Sequence, residues 1–406
     1  MYEGKIIKFY REKYKLTQEQ LGKNICSVTH ISKIECAQTK YAPEIINLLS
    51  NRLGIDMELE VANFMNIKHR LLHWHDVIVM QLFEEMDQIY YEFEMEELIQ
   101  ISEYNDMYQL LRAKYFLAHS KCNEAFKIIK KLQKKEDKLA PYERNLLKHI
   151  LGIYSLAKQD YGKVIQILKS IDNTVYKNPE YFYHLASAYH TLSAPVLAYY
   201  YAEKSHQFFK QINNYLRVID AEMLMIIQVQ GETLDEEIIN RFKNLIRSCE
   251  LCNAPDRKAK ALHNLAYEFY RGKNYKEASK YYKQSMMLKD SESSSYLISL
   301  EGYIRSSFDG GFSNIEELVH GAEEGLFIAK KNNYSLYVHL FKLLLYLLKS
   351  KEKEYHHYLN SKALPMFEKN GFTFLVERSK KELFNYFKKM NLNEQAMEIA
   401  QLIVNA

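Results

Sequence analysis

Ser27, Val28, Thr29 and Lys33 fall within one short stretch of the chain. Two hydroxyls, a branched apolar surface and a cation at that density suit a DNA major groove. Hydroxyls bond to base edges, a valine meets a thymine methyl, and a lysine reaches guanine or phosphate. Thr17, Gln18 and Lys40 flank the set and can hold the sugar-phosphate backbone, which fixes register without reading sequence. To act together, these groups must project from one helix braced against another. Leu21, Ile25, Ile31 and Ile34 recur at helical spacing on either side of a break at Cys26 and Ser27, so two helices can share a small core across a tight turn. Thr17, with Gln20 three residues on, has capping-box spacing, and Ser27 can cap the second helix. With Ile31 and Ile34 turned inward, the second helix presents its hydroxyls, Val28 and Lys33 outward. The expected unit is a helix-turn-helix.

The run from Leu16 through Thr17, Gln18 and Leu21 to Ile31, Ser32, Lys33, Ile34 and Glu35 resembles the lambda-repressor-like (Xre) helix-turn-helix family. Members often carry glycine in the turn where this chain has Cys26, so the backbone there is expected to avoid positive φ. A first helix over Glu3–Tyr14 sets Ile6, Ile7 and Tyr10 against Lys5, Lys8 and Arg11. Pro43 is placed to open a further helix and Gly54 to close it. Residues 1–65 are thus read as a DNA-binding domain.

The whole chain has 406 residues, too many for one ordinary core, so two domains or a repeat array are expected. With 13 Gly and 6 Pro there is little material for glycine-rich catalytic loops or β-hairpin turns, and the reading is all-α. Residues 1–52 hold nine Lys or Arg against five Asp or Glu, which equals the net +4 of the entire chain. The remainder is near neutral, as suits a scaffold for peptide or protein more than a nucleic-acid surface.

Five cysteines, no leader-like start and no apolar run near the ~18 residues of a spanning helix point to a cytoplasmic protein without a membrane partner. Cys249 and Cys252 have half-site spacing but lack a second pair, and His73, His75, His356 and His357 point to different helix faces. No metal, cofactor or catalytic activity is expected.

Residues 66–91 read as a connector, with one long amphipathic helix over Lys68–Tyr91 carrying the sole Trp, Trp74. Beyond it the chain repeats. Pro141, Pro179 and Pro255 are separated by 38 and 76 residues, and small or apolar residues pair twelve apart: Ala113 with Ala125, Gly152 with Val164, Ala186 with Ala198, Ala266 with Ala278. Such pairs mark where two helices of a hairpin approach closely. The unit from Leu262 to Leu288 resembles a tetratricopeptide repeat, and about eight such hairpins fill residues 92–406.

Stacked hairpins line a concave face with their first helices. The register places His263, Asn264, Tyr267, Tyr270 and Arg271 on that face, with Tyr183, His184, Ser187 and His190 before them and Tyr296, Ser299 and Tyr303 after. Arg144, Asn145 and His149 come from an earlier hairpin. The Asn264 amide can bond to both N–H and C=O of an extended peptide, and Arg144 or Arg271 can pair with a carboxylate.

An Xre-type head on a tetratricopeptide-like array is the layout of the RRNPP family, and this chain resembles its NprR and PlcR branch. The resemblance implies a transcriptional regulator controlled by a short quorum-sensing peptide, acting as a homodimer or higher oligomer on double-stranded DNA. The alternative it carries is a Rap-like protein that sequesters a phosphorelay response regulator.

Overall fold

In a computed structural model, residues 2–38, 42–229 and 235–404 are described, and none of them lies in a strand. The chain divides into two compact units, Met1–Asn178 and Pro179–Ala406. The cut falls within the expected array, so the head, the connector and the first hairpins share one unit.

In the first unit the head is α1 (Tyr2–Lys13), α2 (Gln18–Gly22), α3 (Val28–Glu35) and α4 (Pro43–Leu53), packed around Ile6, Ile7, Leu21, Ile31 and Leu49, all fully buried. Pro43 does start α4, and Gly54 ends it in the left-handed conformation at φ +66°. The turn between α2 and α3 also uses that conformation. It falls on Asn24, at φ +60°, two residues before the cysteine on which sequence reasoning had focused. Asparagine tolerates it better than most side-chain-bearing residues, which removes the need for glycine.

The expected single helix across Lys68–Tyr91 does not form. Instead, α5 (Met57–Met80) starts earlier and stops at Gln81, φ +58°, and α6 (Phe83–Met95) folds back on it. The reason lies in packing: Trp74 is fully buried among Tyr90, Phe93, Tyr108 and Tyr115, and its indole N–H donates to the Met86 carbonyl at 3.2 Å. A straight helix would carry Phe93 and Tyr90 away from that ring. The head is joined to α5 through Tyr10, whose hydroxyl donates to Glu60 at 2.9 Å.

Two hairpins complete this unit, α7 (Asn105–Ala118) with α8 (Cys122–Gln133) and α9 (Pro141–Ala157) with α10 (Tyr161–Lys169). Six form the second unit: α11 (Tyr181–Thr191) and α12 (Pro195–Gln211), α13 (Tyr215–Gln228) and α14 (Glu236–Leu251), α15 (Pro255–Arg271) and α16 (Tyr275–Met287), α17 (Ser294–Gly310) and α18 (Ile315–Lys331), α19 (Ser335–Leu348) with α20 (Glu352–Tyr358) and α21 (Leu364–Lys369), and α22 (Thr373–Lys389) and α23 (Asn393–Val404). The small residues at twelve-residue spacing are all buried, Ala113, Ala125, Ala186, Ala198, Ala266 and Ala278 completely. At Gly152 an added Cβ would sit 2.3 Å from Leu168, so bulk there would pry the hairpin open.

The hairpin turns recur with one geometry. Ser193, Asn213, Asn253, Lys273, Asn333, Ser350 and Asn391 each take positive φ between consecutive helices. This is how a chain poor in glycine makes so many tight turns. No described helix is long and apolar enough to cross a membrane.

Candidate functional site

Two surfaces gather the residues singled out by sequence. In the head, Glu35 is 8% exposed and accepts from Arg11 Nε at 2.5 Å, Arg11 Nη2 at 3.0 Å and Gln18 Nε2 at 2.8 Å. One carboxylate therefore ties α1, α2 and α3 together, and Gln18 already spends one amide hydrogen inside the protein. Arg52 on α4 donates to the carbonyls of Leu21 at 2.9 Å and Lys23 at 2.5 Å, closing the end of α2. Sequence reasoning missed both arrangements, since it read Glu35 as motif and Arg52 as charge.

Thr17 makes the full capping box with Gln20, its hydroxyl accepting from the Gln20 N–H at 3.0 Å. Ser27 caps α3 through the His30 N–H at 3.4 Å. Val28 is 46% exposed, and Thr29 and Lys33 are exposed beside it, so the outward face of α3 carries a methyl pair, a hydroxyl and a cation. Lys40 lies outside the described residues.

In the second unit, first helices touch first helices: α13 meets α11 and α15, and α17 meets α15 and α19. Helix α22 returns to bound this inner face from the other side. Its Thr373 hydroxyl donates to the Thr191 carbonyl of α11 at 3.2 Å, and Phe374 stands edge-on to Tyr267 of α15 with centroids 6.1 Å apart.

On α15, Asn264 is half-buried and makes no hydrogen bond to any described residue. Its neighbour His263 bonds through Nδ1 to Ser299 at 3.0 Å, and burial, helped by the Lys289 charge, pushes its pKa down to about 3. Lys289 donates to the same Ser299 hydroxyl at 2.7 Å, and burial lowers its own pKa to about 8. Tyr270 donates to Asp309 at 2.7 Å, and Arg271 pairs with the buried Glu268 at 2.7 Å. Tyr303 is half-buried between two hydrophobic clusters.

Tyr183 lies under the Arg217 guanidinium, 4.1 Å from ring centre to Cζ, and Arg257 grips Asp220 with two bonds of 2.9 Å beside it. His184 is half-buried on the same helix. Arg144 and Asn145 belong to the first unit: Arg144 Nη2 bonds to the carbonyls of Asp137 and Leu139, and Asn145 to the Pro141 carbonyl and the Asp172 N–H.

Sequence reasoning missed the charged floor of this face. Glu301 and Arg305 on α17 pair at 2.8 Å. Burial alone would raise the Glu301 carboxyl, but the Arg305 and then Arg378 guanidinia hold it below its ordinary value. Cys249 and Cys252 are free thiols, Cys249 buried and pushed up to about 11 by that burial, and no three described His, Cys, Asp or Glu side chains could hold a metal ion.

Comparison with known proteins agrees with this anatomy. Residues 7–59 match the helix-turn-helix family HTH_3. The Transcriptional activator NprA of Geobacillus stearothermophilus is 21% identical over 368 residues, 86% of this chain and 89% of that protein. The apo quorum sensor NprR from B. thuringiensis superposes with a TM-score of 0.71 at 19% identity, covering 84% of this chain and 98% of that one. A Rap protein complexed with Competence and Sporulation Factor reaches 0.72 at 13% identity, covering 84% and 97%. Residues 7–59 are therefore a helix-turn-helix of the HTH_3 family, and the helical array that follows shares the fold of NprR and of a Rap protein.

Proposed function

We propose that this chain is a sequence-specific DNA-binding transcriptional regulator whose array binds a short signalling peptide. The observation that carries the reading is the pairing of an outward-facing α3, with Val28, Thr29 and Lys33 uncovered, with an inner array face whose Asn264 amide bonds to no described residue. NprR has been solved in complex with its cognate peptide NprX, and it shares this fold. The head contacts too little DNA to act alone, so the protein works as a homodimer on a palindromic site in the cytoplasm. Peptide binding switches it only by favouring one of two arrangements with unequal affinity. The direct test is to capture genomic fragments on the purified full-length chain, with and without candidate short peptides. Peptide-dependent enrichment of a palindrome is expected; no enrichment in either condition defeats the reading.

The fold shared with a Rap protein gives a second reading, in which the array captures a response regulator and the head is secondary. Replacing both Val28 and Lys33 with alanine in the full chain separates the two. A physiological effect that survives this double change belongs to the array.

A further inference from the structure

The inner face of the second unit carries a cation that forms no ion pair with any described residue. Helices α13, α15, α17 and α22 bring five arginines to this region, and four have protein carboxylates as partners: Arg217 and Arg257 with Asp220, Arg271 with Glu268, Arg305 with Glu301. Arg378, on α22, forms no ion pair or hydrogen bond with any described residue, although it is half-buried. It sits one helical turn beyond Phe374, on the side of α22 that faces Tyr267. Tyr267, Tyr270, Tyr282, Glu301 and Tyr355 all feel its charge. Two guanidinia thus share the single Glu301 carboxylate, and Arg305 already holds it at 2.8 Å. Glu382, one turn on from Arg378, faces Tyr355 instead.

We propose that Arg378 is the anion-recognising residue of this face, pairing with a carboxylate of the bound peptide while Asn264 holds the peptide backbone. This rests on the peptide reading above and assigns the ligand's chemistry. A planar, half-buried guanidinium near several tyrosines favours a bidentate carboxylate over a hydroxyl or amide, because desolvation strengthens the charge-assisted bonds. Arg271, one of the two arginines that sequence reasoning offered for the same task, has its charge matched by Glu268. The carboxylate comes from the peptide's C-terminus or from an Asp or Glu side chain, and the two sources can be told apart.

The experiment uses the full-length chain and a randomised library of short linear peptides, synthesised once with a free C-terminal carboxylate and once as the C-terminal amide. Retained peptides are read by mass spectrometry and their affinities measured by calorimetry. If the terminus is the anion, the amide library is not retained; if a side chain is, both libraries enrich Asp or Glu at one position. Arg378→Gln should weaken the best peptide about 10-fold, and a peptide lacking the carboxylate should bind wild type and variant alike, closing a double-mutant cycle. Arg378→Lys, which keeps the charge but not the fork, should fall between them and guards against misfolding. Retention of the same peptides at unchanged affinity by Arg378→Gln overturns the proposal while leaving the peptide reading intact. A wild-type chain that retains no peptide from either library overturns both.

Discussion

The head and the inner face of the second unit handle polar groups in opposite ways. In the head, the buried Glu35 and the half-buried Arg11 and Gln18 bond to one another, and exposed polar groups point into water from α3. On the inner face, charge lies inside the protein at Glu301, Arg305 and Lys289, beside a neutral His263, and Asn264 and Arg378 are half-buried with no hydrogen bond to any described residue. A duplex can meet the first kind of surface with little desolvation and gains from many weak contacts. A short peptide has few atoms to offer, and it needs a site where each contact is strengthened by low dielectric.

The comparison can be broken most forcefully at Glu35. Glu35→Ala leaves the largely buried Arg11 with only the exposed Glu12 as a carboxylate partner, which should cost the head about 3 kcal/mol. Thermal melts should then show early loss of the head, with operator binding abolished and peptide affinity kept. A variant that still binds its operator at full strength would mean that Glu35 does not brace α3.

A somewhat smaller effect tests whether charge is suppressed within the array. His263 has its pKa lowered by burial to about 3, so the folded state favours the neutral ring. The unfolded chain binds a proton below about pH 6.5 and the folded one does not, so stability falls as pH drops through the window between those values. From about pH 7 to about 4.5 the loss should be roughly 2 to 3 kcal/mol, and His263→Asn should flatten the slope of melting temperature against pH. The same slope in the variant would assign it to other groups.

The smallest effect sharpens the contrast at Asn264. Asn264→Ala should weaken peptide binding by about 1 kcal/mol or slightly more, measured by calorimetry, without changing the melting temperature of the free protein. The structure gives the reason: the amide bonds to no described residue, so its removal strands no described partner.

What could be read from sequence follows the range of the contacts. Thr17 with Gln20, Ser27 with His30, and Pro43 with Gly54 are local devices, and spacing alone finds them. The alanine pairs are legible because hairpin partners stand at a fixed separation. Gln81 and Asn24 were not, because neither is a strong breaker and tertiary packing imposes the left-handed turn. Arg144 and Asn145 sit on a first helix as the register requires, yet Arg144 Nη2 and the Asn145 amide bond to nearby backbone groups. Phe374 and Arg378 were out of reach because α22 meets α15 and α11 only after several intervening hairpins have curved the chain back. No periodicity encodes that closure.

The contact between Thr373 and Thr191 also orders events during synthesis. Hairpins form from near neighbours and can fold one by one as they leave the ribosome, since each needs only its predecessor to cover it. The inner face is different: one of its walls is α22, near the end of the chain. A product that stops before residue 373 would keep Asn264 and most of its packed hairpins but lack Phe374 and Arg378. On the peptide reading, competence to receive a ligand therefore waits for α22, and a chain that lacks this helix would be folded yet deaf.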